Sequence, residues 1–179
     1  MTTTATAPMG AAVTLRRLYL VRFGFALAWA ALLLPAASSI GPLSAVLIVL
    51  YPAFDVAAAV VDLRAARSSA GPYVNIAVST LAAAGLAAAL TSGIPATLRV
   101  WGAWAVAAGL VQLVVAVRRR RLGGQAAMIA SGAISTLAGA SFILMASKAD
   151  ASLTNVAGYA VLGGVFFLVS ALRLRRNTA

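Results

Sequence analysis

Long runs without a charged side chain set the tightest limit on what this chain can fold into. They are Phe23–Phe54, Pro72–Leu98, Val100–Val117, Leu122–Ser147 and Ala151–Leu172. A helix needs roughly 20 mostly apolar residues to cross the hydrocarbon core of a bilayer. The first run is long enough for two such helices and is broken by Pro35 and by Gly41-Pro42; Ser92-Gly93-Ile94-Pro95 is a further turn signal between the second and third runs. Six transmembrane helices are therefore expected, at 18–37, 43–62, 72–91, 96–117, 125–146 and 153–172. The fold class is all-α, a polytopic membrane protein. Composition excludes a soluble alternative, because 63% of the 179 residues are hydrophobic and only 9% charged. A soluble domain carries about a quarter charged residues, and one of this size has too little interior to hide so much apolar surface.

Arginine placement gives the orientation. Arg16, Arg17 and Arg22 precede or open helix 1, Arg64 and Arg67 follow helix 2, Arg118–Arg121 follow helix 4, and Arg173, Arg175 and Arg176 follow helix 6. Only Arg99 and Lys148 fall on the other side. Cations collect on the cytoplasmic side of membrane proteins, which puts both termini in the cytoplasm. A cleaved export signal over residues 1–37 is the competing reading, prompted by Arg16-Arg17 and the small residues at Ala36-Ala37. The apolar stretch exceeds the usual 7–15-residue signal core, so retention is expected. Residues 1–13 and 177–179 are expected to be disordered tails flanking a transmembrane domain at 14–176.

The chain repeats itself. A shift of 55 residues carries Ala105, Val106, Gly109, Leu113 and Arg118 of helix 4 onto Ala160, Val161, Gly164, Leu168 and Arg173 of helix 6. Ser79-Thr80-Leu81-Ala82 recurs as Ser135-Thr136-Leu137-Ala138. Helix 2 fits more weakly at a shift of 54, with Arg64 on Arg118. The odd helices give the columns Arg22/Asn75/Ser131, Ala26/Ser79/Ser135 and Ala30/Ala83/Gly139, whose members sit four residues apart on one helix face. Three hairpins, about 18–62, 72–117 and 125–172, are thus parallel repeats, each starting and ending on the cytoplasmic side. Ala105-xxx-Gly109 and Ala160-xxx-Gly164 are small-xxx-small pairs that let helices approach closely. A homo-oligomer or a membrane partner stays open.

The tripled hairpin resembles the HdeD-like bacterial membrane proteins over roughly residues 16–176. The likeness rests on Ser131-Gly132-Ala133-Ile134-Ser135 with Gly139, on Gly158 through Gly164, and on the arginine-terminated even helices. It implies a six-helix inner-membrane protein connected with acid or envelope stress tolerance. It brings no catalytic residues with it.

The chemistry on offer is narrow. Cysteine, histidine and glutamate are absent, and Asp55, Asp62 and Asp150 are the only acids. Hydrolytic triads, thiolate chemistry and the usual zinc or haem ligands are missing, so neither an enzyme nor a cofactor is expected; a small transporter or channel with a polar path between the hairpins is the alternative to a stress-tolerance protein. The net charge of +11 lies at helix ends, where topology places it, which argues against nucleic acid. Arg118, Arg119, Arg120 and Arg121 either only fix topology or also touch anionic lipid headgroups. Trp101, Trp104, Tyr19 and Tyr73 read as interfacial belt anchors, and Met9, Met128 and Met145 as packing residues. Pro52, three residues before Asp55, reads as a packed kink or as a functional helix break.

One constellation stands out. Arg22 and Asp55 lie about equally far along the chain from the turn near residues 39–40, hence within roughly 3 Å of the same depth. Asn75 with Gln112, and Ser131 with Phe167, fall at matching depths in the other hairpins. An intramembrane polar layer of Arg22, Asp55, Asn75, Gln112 and Ser131 is expected, with Arg22 paired to Asp55 and Asn75 bonded to Gln112. The ion pair serves either hairpin docking or a proton-triggered release of Arg22; snorkelling of an unpaired Arg22 is the third possibility.

Overall fold

The computed structural model describes residues 9–65, 71–118 and 126–176. They form six α-helices: α1 Met9–Leu33, α2 Pro42–Ala65, α3 Gly71–Ala89, α4 Gly93–Arg118, α5 Ala126–Met145 and α6 Thr154–Arg176. No strand occurs among the described residues. Helix α1 starts at Met9, so residues 9–13 belong to the helix and not to a tail. Helices α1 and α3 each end in a 3₁₀ turn, Leu34–Ala36 and Leu90–Ser92. The other ends of the expected tails, 1–8 and 177–179, lie outside the described residues, as does Arg67.

Five segments, rather than six, are long and apolar enough to cross a membrane: Val13–Ala36, Pro42–Arg64, Gly71–Val114, Met128–Met145 and Thr154–Arg173. The third holds two helices. Between α3 and α4 the backbone stays helical through the 3₁₀ turn up to Gly93, whose φ of 83° turns the chain. Only glycine adopts that conformation without strain. Beyond it α4 folds back on α3, so that a Cβ on Gly85 would lie 3.2 Å from Val100.

The helices close a ring. Each packs on its neighbours in sequence, and α6 returns to α1. The most intimate interfaces are α4–α5, α1–α6 and α2–α3, between the expected hairpins and not within them. Glycine explains the tightest. Cβ atoms built on Gly102 and Gly139 would each stand 2.5 Å from the other's carbonyl oxygen. One on Gly109 would meet Thr136 N at 2.7 Å, and one on Gly132 would meet Gly109 O at 2.9 Å. The α4 and α5 backbones are therefore in direct contact. Gly164 faces Ala26 and Phe23 of α1, its built Cβ 3.2 Å from that of Ala26.

Polarity runs inside out relative to a soluble bundle. Leu81, Leu137 and Leu144 are each more than 70% exposed, whereas Asp55, Ser79, Ser44 and Thr97 are buried. Exposed leucine and valine on every described helix face outward, which fits lipid as the surrounding solvent. The chain is a helical membrane protein.

One end of the bundle carries Arg16, Arg17, Arg64, Arg173 and the last residue of α4, Arg118; it is called here the basic end. The other end carries the turns at 34–41, 90–93 and 146–153. It is sealed by an apolar core of Leu33, Ile48, Leu86, Leu98, Leu153 and Val156. Backbone joins the turns there: Leu153 N–H donates to the Ala37 carbonyl at 2.9 Å. Ser44 and Thr97, buried at this end, bond local turn carbonyls, Ser44 those of Ser39 and Gly41 and Thr97 that of Gly93.

Candidate functional site: a polar chamber at the bundle centre

Helical spacing turns one polar face of every helix inward. Along α1, Tyr19, Arg22, Ala26, Trp29 and Leu33 follow each other at three- and four-residue steps; along α3, Pro72, Asn75, Ser79, Ala82 and Leu86 do the same. The residues toward the basic end are polar and those toward the other end apolar. Closing the ring brings the polar segments together.

Asp55 is the pivot. Its Oδ1 accepts from Nη2 of Arg22 in a salt bridge. Its Oδ2 accepts from Asn75 Nδ2 at 2.8 Å and from Ser79 Oγ at 2.7 Å. Three donors from two helices thus converge on one carboxylate. The Arg22 guanidinium also lies over the Phe167 ring of α6, its Cζ 4.2 Å from the centroid, a cation–π contact. Phe167 in turn stacks on Tyr19 at 6.1 Å. The cluster therefore ties α1, α2, α3 and α6 together.

Around this pivot lies a cavity of about 370 Å³, lined from all six helices. Arg22, Asp55, Asn75, Gln112 and Ser131 all line it. So do Tyr19, Tyr51, Trp104, Ser135, Tyr159, Phe166, Phe167 and Ser170. Tyr159 donates its hydroxyl proton to Ser135 at 2.9 Å. The bond expected between Asn75 and Gln112 is not formed. Asn75 turns to Asp55 of the preceding hairpin, and Gln112 Nε2 points to the Met128 carbonyl of α5, 3.4 Å away. Both side chains bond across an interface between hairpins because those interfaces are the closer ones.

Aromatic rings make the floor. Trp29 stacks on Trp101 at 5.5 Å, Tyr51 meets both edgewise at 4.7 and 5.6 Å, and Trp104 packs edge-on to Trp101 at 5.2 Å. Trp29 Nε1 donates to the Leu47 carbonyl at 2.7 Å. The indole N–H of Trp104, which lines the chamber, has no partner among the described residues. Trp101, Trp104 and Tyr19 are thus interior residues and not belt anchors: they lie on the inward faces of their helices, which their nearness to a run's end did not indicate. Tyr73 is exposed, as a belt residue would be. Arg119–Arg121 lie outside the described residues, and the side chain of Arg118 is not described.

Ser79, Ser135, Tyr51, Tyr159 and Trp104 are absent from the polar layer read from the sequence. The signal for the two serines was present, since they share a repeat column one helical turn from Asn75 and Ser131. The aromatics carried no signal beyond spacing.

No group of three or more His, Cys, Asp or Glu able to hold a metal ion occurs among the described residues. Comparison with protein-family models, curated proteins and solved structures gives no match to this chain.

Proposed function

We propose that this chain is a non-enzymatic, six-span protein of the bacterial plasma membrane, built from three hairpins repeated in parallel, whose central chamber takes a small polar solute from the cytoplasmic side. The observation that carries this reading is the chamber itself: a cavity of about 370 Å³ with polar side chains from all six helices at the basic end, floored by aromatics and closed by an apolar core. Polar groups are costly inside a membrane and are retained where they line a path or a site. The positive-inside rule assigns the basic end to the cytoplasm. The six-span count is supported by length, because 44 residues in one straight helix would measure about 66 Å, roughly twice the hydrocarbon thickness. The threefold repeat is supported by corresponding contacts. Asp55 and Gly164, which align in the even helices, meet Ser79 and Ala26, which share a column of the odd helices, and Gly109 meets Thr136, one residue past that column.

The natural absence of cysteine makes a direct test possible. Ser135→Cys should react with a membrane-impermeant maleimide in inside-out vesicles. Reaction from both faces of the membrane would mark a transporter that alternates its access; reaction from the cytoplasmic face alone would mark a binding protein with a closed outer end. A thiol protected from both sides would end the chamber reading. The resemblance to HdeD-like proteins adds a part in acid or envelope stress tolerance. A deletion strain that survives acid, osmotic and antibiotic challenge as its parent does would remove that part.

A further inference from the structure

The chamber lining carries one fixed cation, Arg22, and one carboxylate, Asp55, among the described residues. Asp55 already accepts from Arg22, Asn75 and Ser79. Beside that pair stand the unpartnered indole N–H of Trp104 and the hydroxyls of Ser131 and Tyr19, which can donate to a bound anion. A ligand suited to this lining brings acceptors. Arg22 is the cation it would seek, and Arg22 has one anionic partner at present.

We propose that the chamber binds a small monocarboxylate on Arg22 in exchange for Asp55, which takes up a proton as the ligand enters. This rests on the chamber being reachable from the cytoplasm. The exchange is balanced. A proton from water adds to the Asp55 carboxylate, its salt bridge to Arg22 breaks, and the ligand carboxylate forms a new one with the same guanidinium. Net charge within the chamber is unchanged, which matters where an uncompensated charge is expensive. The neighbours of Asp55 suit both states. Ser79 donates to the ionised carboxylate and, by rotating its hydroxyl, accepts from the protonated one; Asn75 offers an N–H to the first and its carbonyl oxygen to the second.

Size and charge narrow the class. A dianion such as phosphate would leave one charge unmatched by the single arginine. Two of the six seams, α4–α5 and α1–α6, are closed to a long acyl chain by close backbone packing. The aromatic walls, Tyr51, Trp104, Tyr159, Phe166 and Phe167, suit a short apolar body behind the carboxylate.

The other titratable groups facing Arg22 and Asp55 are Tyr19 on α1, Tyr51 and Asp62 on α2 and Tyr159 on α6. The facing polar residues of α3, Asn75 and Ser79, and those lining from α4 and α5 do not titrate. Asp62 is within coulombic range of Arg22 but outside the chamber lining, and it serves as the control.

Equilibrium dialysis of radiolabelled benzoate against the full chain in phosphatidylcholine nanodiscs, across a pH series, tests the exchange. Uptake of one proton per anion weakens benzoate binding by about tenfold per pH unit over the range in which Asp55 is ionised. Asp55→Asn should bind benzoate with that slope gone, Asp62→Asn should keep the slope, and Arg22→Gln should lose binding. Equal affinity at every pH in the folded wild type, a slope that survives Asp55→Asn, or decanoate binding where benzoate does not would each overturn the proposal. Since the slope is read on the wild type, a poorly folding variant leaves the test intact. A cytoplasm-accessible Ser135→Cys with no benzoate binding would remove this ligand and leave the chamber standing.

Discussion

Asp55 accepts hydrogen bonds from Arg22 on α1 and from Asn75 and Ser79 on α3, so the cost of altering it depends on what is left behind. Asp55→Asn strands a guanidinium that is only 16% exposed, and loss of one partner of a buried pair costs about 3 kcal/mol or more. The Arg22→Gln, Asp55→Asn double variant removes both charges and should be the more stable of the two in thermal unfolding in detergent. A double variant less stable than Asp55→Asn would show that an unpaired Arg22 carries no penalty in this site. Ser79→Ala removes one neutral donor to a charged acceptor and should cost less, about 1.5–3 kcal/mol. The Arg22–Asp55 pair was legible because both residues sit at one depth from a shared turn. The partner of Asn75 was not, because depth says nothing about rotation. Which neighbour a side chain at a given height meets depends on how each helix is turned about its axis, and packing sets that.

At the scale of helices, glycine separates the interfaces. Gly102, Gly109 and Gly139 leave no room for a Cβ, while Gly158 and Gly163 have nothing within 4 Å of one. Alanine at any of the first three should destabilise by about 1–3 kcal/mol through overpacking. Alanine at Gly158 should be neutral or stabilising by up to about 1 kcal/mol, since alanine favours helix. A thermal-stability series in detergent checks the order, and equal losses at Gly109 and Gly158 would remove the case for backbone contact. Gly164→Leu should force α6 off α1 and exceed the effect of Leu168→Ala, one turn further on and half-buried. The small-xxx-small spacing pointed to Gly109 and Gly164 from the sequence alone. Which helix each would touch was not readable, since the motif names a face and not its partner.

For the molecule as a whole, the basic and apolar ends make opposite claims about the membrane. A reporter fused after Arg176 should be cytoplasmic, and one inserted near Gly93 should be external. A cytoplasmic reporter at Gly93 would show that Gly71–Val114 does not cross twice. The expectation comes from the charge pattern, because insertion reads local hydropathy and the position of arginines, both properties of sequence position. For the same reason the helices and their turns were legible, apart from the earlier start of α1 at Met9. The closure of the ring was not. It requires α6 to meet α1 at the far end of the chain, and it makes the contacts between hairpins tighter than those within them. The sequence by itself determined which residues are polar, at what depth they lie and which faces are small. Only the tertiary structure decided that five of those polar residues, one from each of α1 to α5, share a single chamber, because a cavity exists only once six separately specified helix faces are rotated toward a common axis.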